Sequence, residues 1–136
     1  MEDRYLFKAK RLDNGEWVKG ALVYDDRDRL YRIITEINYS TGTCLTTDNA
    51  PRVDLSTICQ CTGLKDENDK LIYENDIIRC KVGTAKVIWD KSEWRIKWLK
   101  NDLWRKDLYY WAVEDIQRIV VIGNIFDNKE LLESEK

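Results

Sequence analysis

The sequence predicts a mainly β, antiparallel fold with two β-rich halves, at about residues 1–62 and about residues 72–126. Two observations predict it: short runs of alternating apolar and polar residues, and turns rich in asparagine and glycine between them. The single proline and six glycines leave no room for a Pro- or Gly-rich linker. A short C-terminal helix is expected at about residues 128–134, where Asp127 and Glu130 resemble a capping box. We expect one domain, residues 1–136, able to bury roughly two-thirds of the surface of the unfolded chain.

The clearest element is a hairpin near the N-terminus. Two extended runs, at residues 5–12 and 17–24, flank the turn Asp13-Asn14-Gly15-Glu16, whose Asn-Gly pair suits the positive φ angles of a tight turn. The first run places apolar residues on one face and lysines on the other: Tyr5, Phe7 and Ala9 against Lys8 and Lys10. This pattern predicts a strand with one buried and one solvated face.

The rest of the N-terminal half alternates apolar runs with polar breaks. Residues 25–29 form a charged turn, and β-branched runs follow at residues 30–37 and 43–47. Asp54 is placed to cap a single helical turn, after which residues 58–62 return to an extended form.

The C-terminal half predicts three closely connected strands, at residues 76–82, 85–89 and 94–99. Alternation puts six apolar side chains on one face, which we interpret as core: Ala85, Val87, Trp89, Trp94, Ile96 and Trp98. It puts three cations on the opposite face: Lys86, Arg95 and Lys97. Short strands joined by tight turns are typical of a small curled sheet, and an SH3-like sheet is one such form.

Residues 101–115 admit two interpretations. One is a helix, because four residues have the spacing of a single helix face: Leu108, Trp111, Ala112 and Asp115. The other is a strand, because the run Leu108-Tyr109-Tyr110-Trp111 has strong strand propensity. A helix here would make the fold α+β. Residues 119–125 predict a further strand.

Composition narrows the classes of function. The chain has 23 basic and 25 acidic residues and a formal net charge of −2, so it lacks the overall basic excess common in nucleic-acid binders. It has no histidine, and no phosphate loop or dinucleotide fingerprint is present. These absences favour a non-enzymatic protein without a cofactor. No signal peptide or membrane span stands out, so we expect a cytoplasmic protein.

The four cysteines are Cys44, Cys59, Cys61 and Cys80. Cys59 and Cys61 fall on one face of an extended run and could ligate zinc together with the other two. Structural zinc ligands usually come as two closely spaced pairs, however, and Cys44 and Cys80 are isolated. We therefore expect reduced, buried side chains and no metal site.

An acidic cluster lies in the middle of the chain: Asp66, Glu67, Asp69, Glu74 and Asp76. It does not match a calcium loop, since Leu71 stands at the glycine position and Ile77 at the final glutamate position. A pair of these carboxylates could serve a glycosidase, and an enzyme using Asp66, Glu74 or Asp76 is our third hypothesis. Turn formation is the favoured interpretation.

Six tryptophans and seven tyrosines raise the hypothesis of a stacking platform for single-stranded nucleic acid. Because most of the tryptophans alternate with core positions, the cations Lys86, Arg95 and Lys97 are the better candidates for nucleic-acid binding, although a solvated sheet face would show the same pattern. The run Tyr109-Tyr110-Trp111 must expose at least one ring if it is extended, which indicates a contact surface.

Three blocks of sequence resemble the YopX family of phage and prophage proteins. The first is Lys10-Arg11-Leu12-Asp13-Asn14-Gly15-Glu16-Trp17-Val18-Lys19-Gly20. The second combines Val53-Asp54, Thr57-Ile58, Gln60 and Thr62-Gly63-Leu64-Lys65-Asp66 with Ile72-Tyr73-Glu74 and Asp76-Ile77. The third is Val121-Ile122-Gly123-Asn124-Ile125-Phe126-Asp127-Asn128, followed by Glu130-Leu131-Leu132. The order and spacing of three such blocks is more specific than any one alone.

The sequence departs from the family pattern at two turns and at Cys61, where an aromatic residue is common. The family often has glycine where this chain has Asp69 and Asn75. Asp and Asn also tolerate left-handed backbone, so we expect both turns to be kept. The resemblance implies a small phage-derived protein of the bacterial cytoplasm with no established activity, and it supplies no catalytic residues.

Our leading expectation is a non-enzymatic phage or prophage accessory protein that acts through protein–protein contacts and self-assembles. Its interface candidates are Tyr109, Tyr110 and Trp111, and its partners would be copies of itself or a host or phage protein. The alternative is a nucleic-acid-binding accessory protein that uses Lys86, Arg95 and Lys97. Neither hypothesis involves a membrane, a metal or a cofactor.

Overall fold

The computed structural model describes residues 3–35, 50–100, 105–115 and 118–134. Contacts between Cα atoms divide the chain into two compact units, unit 1 (Met1–Cys61) and unit 2 (Thr62–Lys136). The strand pairs with a described register are antiparallel, which confirms the mainly β prediction.

Unit 1 is built on an antiparallel sheet. Its strands are β1 (Phe7–Lys10), β2 (Trp17–Asp25), β3 (Leu30–Ile34), β4 (Arg52–Val53) and the first half of β5 (Cys59–Lys65), in the order β4-β3-β2-β1-β5. Short 3₁₀ turns precede β1 at Asp3–Tyr5 and follow β4 at Leu55–Thr57. Strand β5 continues into unit 2, where its sheet neighbour is β6 (Leu71–Tyr73).

Local hydrogen bonds explain the turns of unit 1. Gly15 has a φ of 74°, as the Asn-Gly turn predicts. The 3₁₀ turn at Leu55–Thr57 is capped by Asp54, whose carboxylate accepts the Ser56 N–H at 3.0 Å, as predicted. Tyr5 is a correction, because it lies in the first 3₁₀ turn with its side chain 54% exposed rather than on the buried face of the strand.

The described residues of unit 1 include one core cluster. Three fully buried residues, Ala9, Ile33 and Val53, are surrounded by partly buried neighbours: Val18, Leu22, Tyr31 and Ile58. Gly20 lies opposite Phe7 in β1, and a Cβ at this position would overlap the Ile34 carbonyl oxygen. The glycine that ends the first family block therefore permits close approach of β2 and β3.

Unit 2 is built on a four-stranded antiparallel sheet. Besides β6, its strands are β7 (Asp76–Cys80), β8 (Gly83–Asp90), β9 (Glu93–Trp98) and β10 (Val120–Asn124), and the sheet order is β10-β7-β8-β9. The expected SH3-like form of this half stays a prediction.

The core of unit 2 is larger and richer in aromatic rings. Its ten buried members are Ile72, Ile78, Ala85, Val87, Ile96, Trp98, Leu108, Trp111, Ala112 and Ile119. Five of the six side chains of β8 and β9 that were predicted to be core belong to this cluster or pack against it. The sixth, Trp89, is 56% exposed. The prediction for Trp89 was wrong because this residue lies next to the hairpin tip, at the end of β8. Among the described aromatic pairs, its ring contacts Trp94 alone, edge to face, with 5.0 Å between the ring centroids.

The ambiguous region is helical where it is described. Residues 108–109 are α-helical and Tyr110–Glu114 continue as a π-helical turn, so the strand interpretation was wrong. The residues of the predicted helix face are all buried: Leu108, Trp111, Ala112 and Asp115. Burial of this face against the sheet outweighs the strand propensity of the aromatic run.

The C-terminal helix spans Lys129–Ser134, as predicted. It is preceded by Asn128, one residue later than the capping-box position predicted at Asp127. The expected strand at residues 43–47, the end of the run at 30–37 and Cys44 lie outside the described residues.

Both outer strands of the unit 2 sheet carry hydrogen bonds on their outer side. On β9, the Ile96 N–H donates to the Lys106 carbonyl at 2.8 Å. The backbones of Arg95 and Asp107 form an isolated antiparallel β-bridge. Next to β10, the Glu67 N–H donates to the Ile119 carbonyl and the Val121 N–H donates to the Asp66 carboxylate, each at 2.9 Å.

Candidate functional site

The structure brings the three predicted cations together on one face of the unit 2 sheet. Lys86 in β8 is directly opposite Lys97 in β9, and Arg95 lies two residues before Lys97 on the same strand. Directly opposite residues of an antiparallel pair have Cβ atoms about 5 Å apart. The alternation of charged and apolar residues was therefore sufficient to find this cluster.

Arg79 is a fourth member, which the sequence analysis missed. It lies in β7 opposite Thr84, diagonal to Lys86 on the same face. The signal was present, because Arg79 alternates with the buried Ile78 just as the lysines alternate with core residues. We call Arg79, Lys86, Arg95 and Lys97 the basic face.

The charges of the basic face are only partly compensated. Arg95 pairs with Glu93 at 2.6 Å, whereas Arg79, Lys86 and Lys97 have no carboxylate partner among the described residues. Arg79 and Lys97 are exposed, and Lys86 is half-buried beside the fully buried Ile77. Like charges directly opposite each other destabilise a sheet, so the Lys86–Lys97 pair works against folding.

The three aromatic interface candidates are in different environments. Tyr109 is 52% exposed, while Trp111 is 6% exposed and donates its indole N–H to the Arg105 carbonyl at 3.1 Å. Tyr110 is half-buried, with the Arg105 guanidinium 4.3 Å from its ring centroid. Only Tyr109 presents a largely open ring, and Val113, four residues later, is 47% exposed beside it.

Asp66 is the best-bonded carboxylate of the acidic cluster. It is 1% exposed and accepts three backbone N–H groups at 2.9 Å, from Asn68, Lys70 and Val121. Its two oxygens thereby close the turn after β5 and attach that turn to β10. This arrangement organises the backbone.

Asp76 and Asn75 organise the next turn. The Asp76 carboxylate, on a residue that is 2% exposed, accepts the Tyr73 N–H at 2.8 Å. Asn75 has a φ of 70°, and Asp69 has a φ of 65° in the preceding turn. The two positions where the family often has glycine are thus left-handed, as the sequence predicted.

The closing block of the family pattern is also architectural. The Asn128 side chain accepts the Asn124 N–H at 3.1 Å, and a Cβ on Gly123 would overlap that side chain. The Asn124 side chain accepts the N–H groups of Phe126 and Asp127 at 2.9 Å. These residues turn the chain from β10 into the C-terminal helix.

None of the three described cysteines forms a disulfide. Cys59 and Cys61 are buried in β5, and burial raises the pKa of the half-buried Cys80 thiol. Within the part of the chain that the structure describes, no group of three or more His, Cys, Asp or Glu side chains is arranged to hold a metal ion. The same residues include no helix long and apolar enough to cross a membrane.

Comparisons with known proteins agree with this architecture. The crystal structure of protein EF1440 from Enterococcus faecalis is similar, with a TM-score of 0.52 and 22% sequence identity over 93% of this chain and 96% of that one. A search of curated proteins found no match. At this identity the structural likeness shows the fold alone. The YopX protein family model matches residues 6–133, nearly the whole chain, and the protein therefore belongs to the YopX family.

Proposed function

We propose that this YopX-family protein is a non-enzymatic phage or prophage accessory protein of the bacterial cytoplasm that binds the phosphate backbone of nucleic acid through its basic face. The observation that carries the proposal is the direct opposition of Lys86 and Lys97, with Arg79 on the diagonal. A polyanion would compensate the charges that the described carboxylates do not.

The arrangement favours backbone contact over base recognition. The cations extend across three neighbouring strands, and strands lie about 4.8 Å apart, so several phosphates can be contacted at once. Lysine provides a point charge on a flexible stem and adapts to different backbone geometries. We therefore expect weak, sequence-independent binding dominated by counterion release.

The test is binding of a fluorescent DNA duplex, measured by anisotropy over a range of sodium chloride concentrations. With about three phosphate contacts, log K should fall against log salt with a slope of roughly −3. The variant Lys86→Glu/Lys97→Glu should lose most of the affinity and flatten the slope. Lys129→Glu is the matched control, since it changes an exposed lysine of the same unit outside the sheet. Salt-independent binding, or equal losses in the two variants, would refute the proposal.

A second candidate function is self-assembly through Tyr109 and Val113. These side chains are exposed four residues apart on a helical segment whose other face is core, so they form a small apolar ridge. Sedimentation velocity should show concentration-dependent association that Tyr109→Ser/Val113→Ser removes. A strictly monomeric wild-type protein at high concentration would rule this function out.

A further inference from the structure

Three arginines, Arg11, Arg32 and Arg52, line an open cavity of about 660 Å³ in unit 1. Its lining also includes Leu12, Leu30, Ala50, Pro51 and Asp13, whose carboxylate pairs with Arg11 at 2.7 Å. Arg32 and Arg52 are directly opposite each other across β3 and β4, and the Leu12 N–H donates to the Arg52 carbonyl at 2.9 Å. The alternation of strands places Leu30 with Arg32, two residues apart on one face. The cavity thus combines apolar side chains with guanidinium groups, and its size suits a small organic ligand.

The guanidinium groups belong to one continuous network. The Asp25 carboxylate accepts from Arg27 and Arg32, and the Asp28 carboxylate accepts from Arg32 and Arg52. Arg32 is 7% exposed and also donates to the Ala50 carbonyl at 2.7 Å, so its orientation is fixed. Within this chain of contacts three guanidinium groups share two carboxylates.

At the end of the network, Arg52 has N–H groups that are not hydrogen-bonded to any described residue. Arg52 is held through its Nε, which donates to Asp28 at 2.8 Å, while its two terminal nitrogens have no partner among the described residues. Two parallel N–H groups at the end of a guanidinium are the geometry that binds a carboxylate or phosphate in a bidentate manner. The Asp28 contact orients this fork in advance of binding, which reduces the entropy lost on association.

We propose that this cavity binds a small oxyanion that carries an apolar group, with the Arg52 fork holding the phosphate or carboxylate and Leu12 and Leu30 contacting the apolar part. We call it the Arg52 pocket. It lies entirely within unit 1 and does not depend on nucleic-acid binding by the basic face.

The test is calorimetric titration of the full chain with phenyl phosphate, inorganic phosphate and benzoate. Phenyl phosphate should bind with a Kd of about 1 mM or tighter and about tenfold more tightly than inorganic phosphate, because its ring can contact Leu12 and Leu30. Benzoate measures whether the fork prefers a carboxylate to a phosphate, and either preference supports the pocket. Absence of saturable binding for both aromatic ligands would overturn it.

Two variants distinguish the contribution of the Arg52 guanidinium to binding from that of the apolar side chains. Arg52→Gln should weaken phenyl phosphate about tenfold or more, since the bidentate contact is lost. Leu12→Ser, at a side chain that is already 53% exposed, should weaken phenyl phosphate and leave inorganic phosphate unchanged. Arg29→Gln is the control, because Arg29 is an exposed arginine of the same unit outside the cavity lining. Wild-type affinity in Arg52→Gln would overturn the proposal.

A further variant keeps the two proposals distinguishable. Lys86→Glu/Lys97→Glu should bind phenyl phosphate as the wild-type protein does, whatever its effect on DNA. A parallel loss of both activities in this variant would contradict an independent pocket in unit 1.

Discussion

The two units differ in how they compensate one cluster of cations. In unit 1, Arg27, Arg32 and Arg52 pair with Asp25 and Asp28, beside a core cluster with three fully buried members among the described residues. Unit 2 has a core of ten buried residues and leaves Arg79, Lys86 and Lys97 without a described carboxylate partner on its sheet. Among the described residues, the larger apolar cluster of unit 2 can offset more electrostatic repulsion than that of unit 1.

This difference motivates the two binding proposals. Compensated charges serve the fold first, and only the open end of such a network, at Arg52, is available to a ligand. Uncompensated charges on a sheet lower stability, which is why we propose a binding role for them. The following experiments test this contrast.

The largest effect is expected from truncating the two cores. Ile96→Ala should lower the free energy of unfolding by about 3–4 kcal/mol, and Ile33→Ala by about 2–3 kcal/mol, since a smaller core can relax around a cavity more readily. Both isoleucines are at most 1% exposed, so the pair is matched in burial. Urea denaturation at neutral pH measures both values, and a larger loss for Ile33→Ala would contradict the comparison.

Substitution of Asp66 tests whether unit 2 also depends on a carboxylate. This carboxylate accepts hydrogen bonds from backbone N–H groups rather than from arginines. Asp66→Ala leaves three N–H groups without their acceptor and should cost about 3 kcal/mol of unfolding free energy. Asp66→Asn should cost roughly half of this, because one of its two atoms still accepts. Glu67→Ala, at the exposed neighbour, should lie within about 0.5 kcal/mol of wild type. An equally small loss for Asp66→Ala would show that the turn forms without its carboxylate.

Acid should weaken unit 1 through Asp25. Hydrogen bonds from Arg27, and then the charges of Arg27 and Arg32, hold the pKa of Asp25 well below its ordinary value of 3.8. The ionised form is therefore favoured by folding, and its contribution is complete above that ordinary value and lost as the pH falls below it. Thermal unfolding followed by circular dichroism should show a smaller decline in Tm from about pH 4 to pH 2 in Asp25→Asn than in wild type. Parallel declines would argue that the network does not stabilise the fold.

The smallest effect is expected at the basic face, and it has the opposite sign. Lys97→Glu replaces a like-charge pair with an attractive one and should raise the free energy of unfolding by about 0.5 kcal/mol. The same variant should bind DNA more weakly. A rise in stability together with a loss of binding would show that the charge is retained for function, whereas lower stability would mean that Lys97 already contributes to the fold.

Much of the fold was predictable because its local signals agree with one another. The Asn14-Gly15 turn, the Asp54 cap and the left-handed positions Asp69 and Asn75 each follow from one or two residues with special backbone preferences. Residues 108–115 were not predictable in the same way, because strand propensity and helical periodicity conflict there and tertiary burial decides between them. The prediction that Trp89 is buried was wrong for a related reason. Alternation predicts which face of the strand carries a side chain, but it does not predict where the core ends along that strand.

The candidate sites differ in how far sequence could define them. Lys86, Arg95 and Lys97 lie on two strands joined by a tight turn, so alternation alone grouped them. The Arg52 pocket required the pairing of β3 with β4, which are separated by 17 residues of sequence, and no local pattern indicates that Arg32 is opposite Arg52. Carboxylate pairing, which distinguishes Arg52 from Lys97, likewise depends on a contact between residues far apart in sequence, Arg52 in β4 and Asp28 in the turn before β3.

The bonds on the outer sides of β9 and β10 have a consequence for solubility. An open edge strand offers unpaired N–H and C=O groups that other chains can extend into aggregates. The segment at Lys106 covers β9, whose sequence Trp94-Arg95-Ile96-Lys97-Trp98 combines strong strand propensity with large apolar side chains. Local release of that segment would expose this strand without global unfolding, so the contact at Lys106 protects the protein against aggregation.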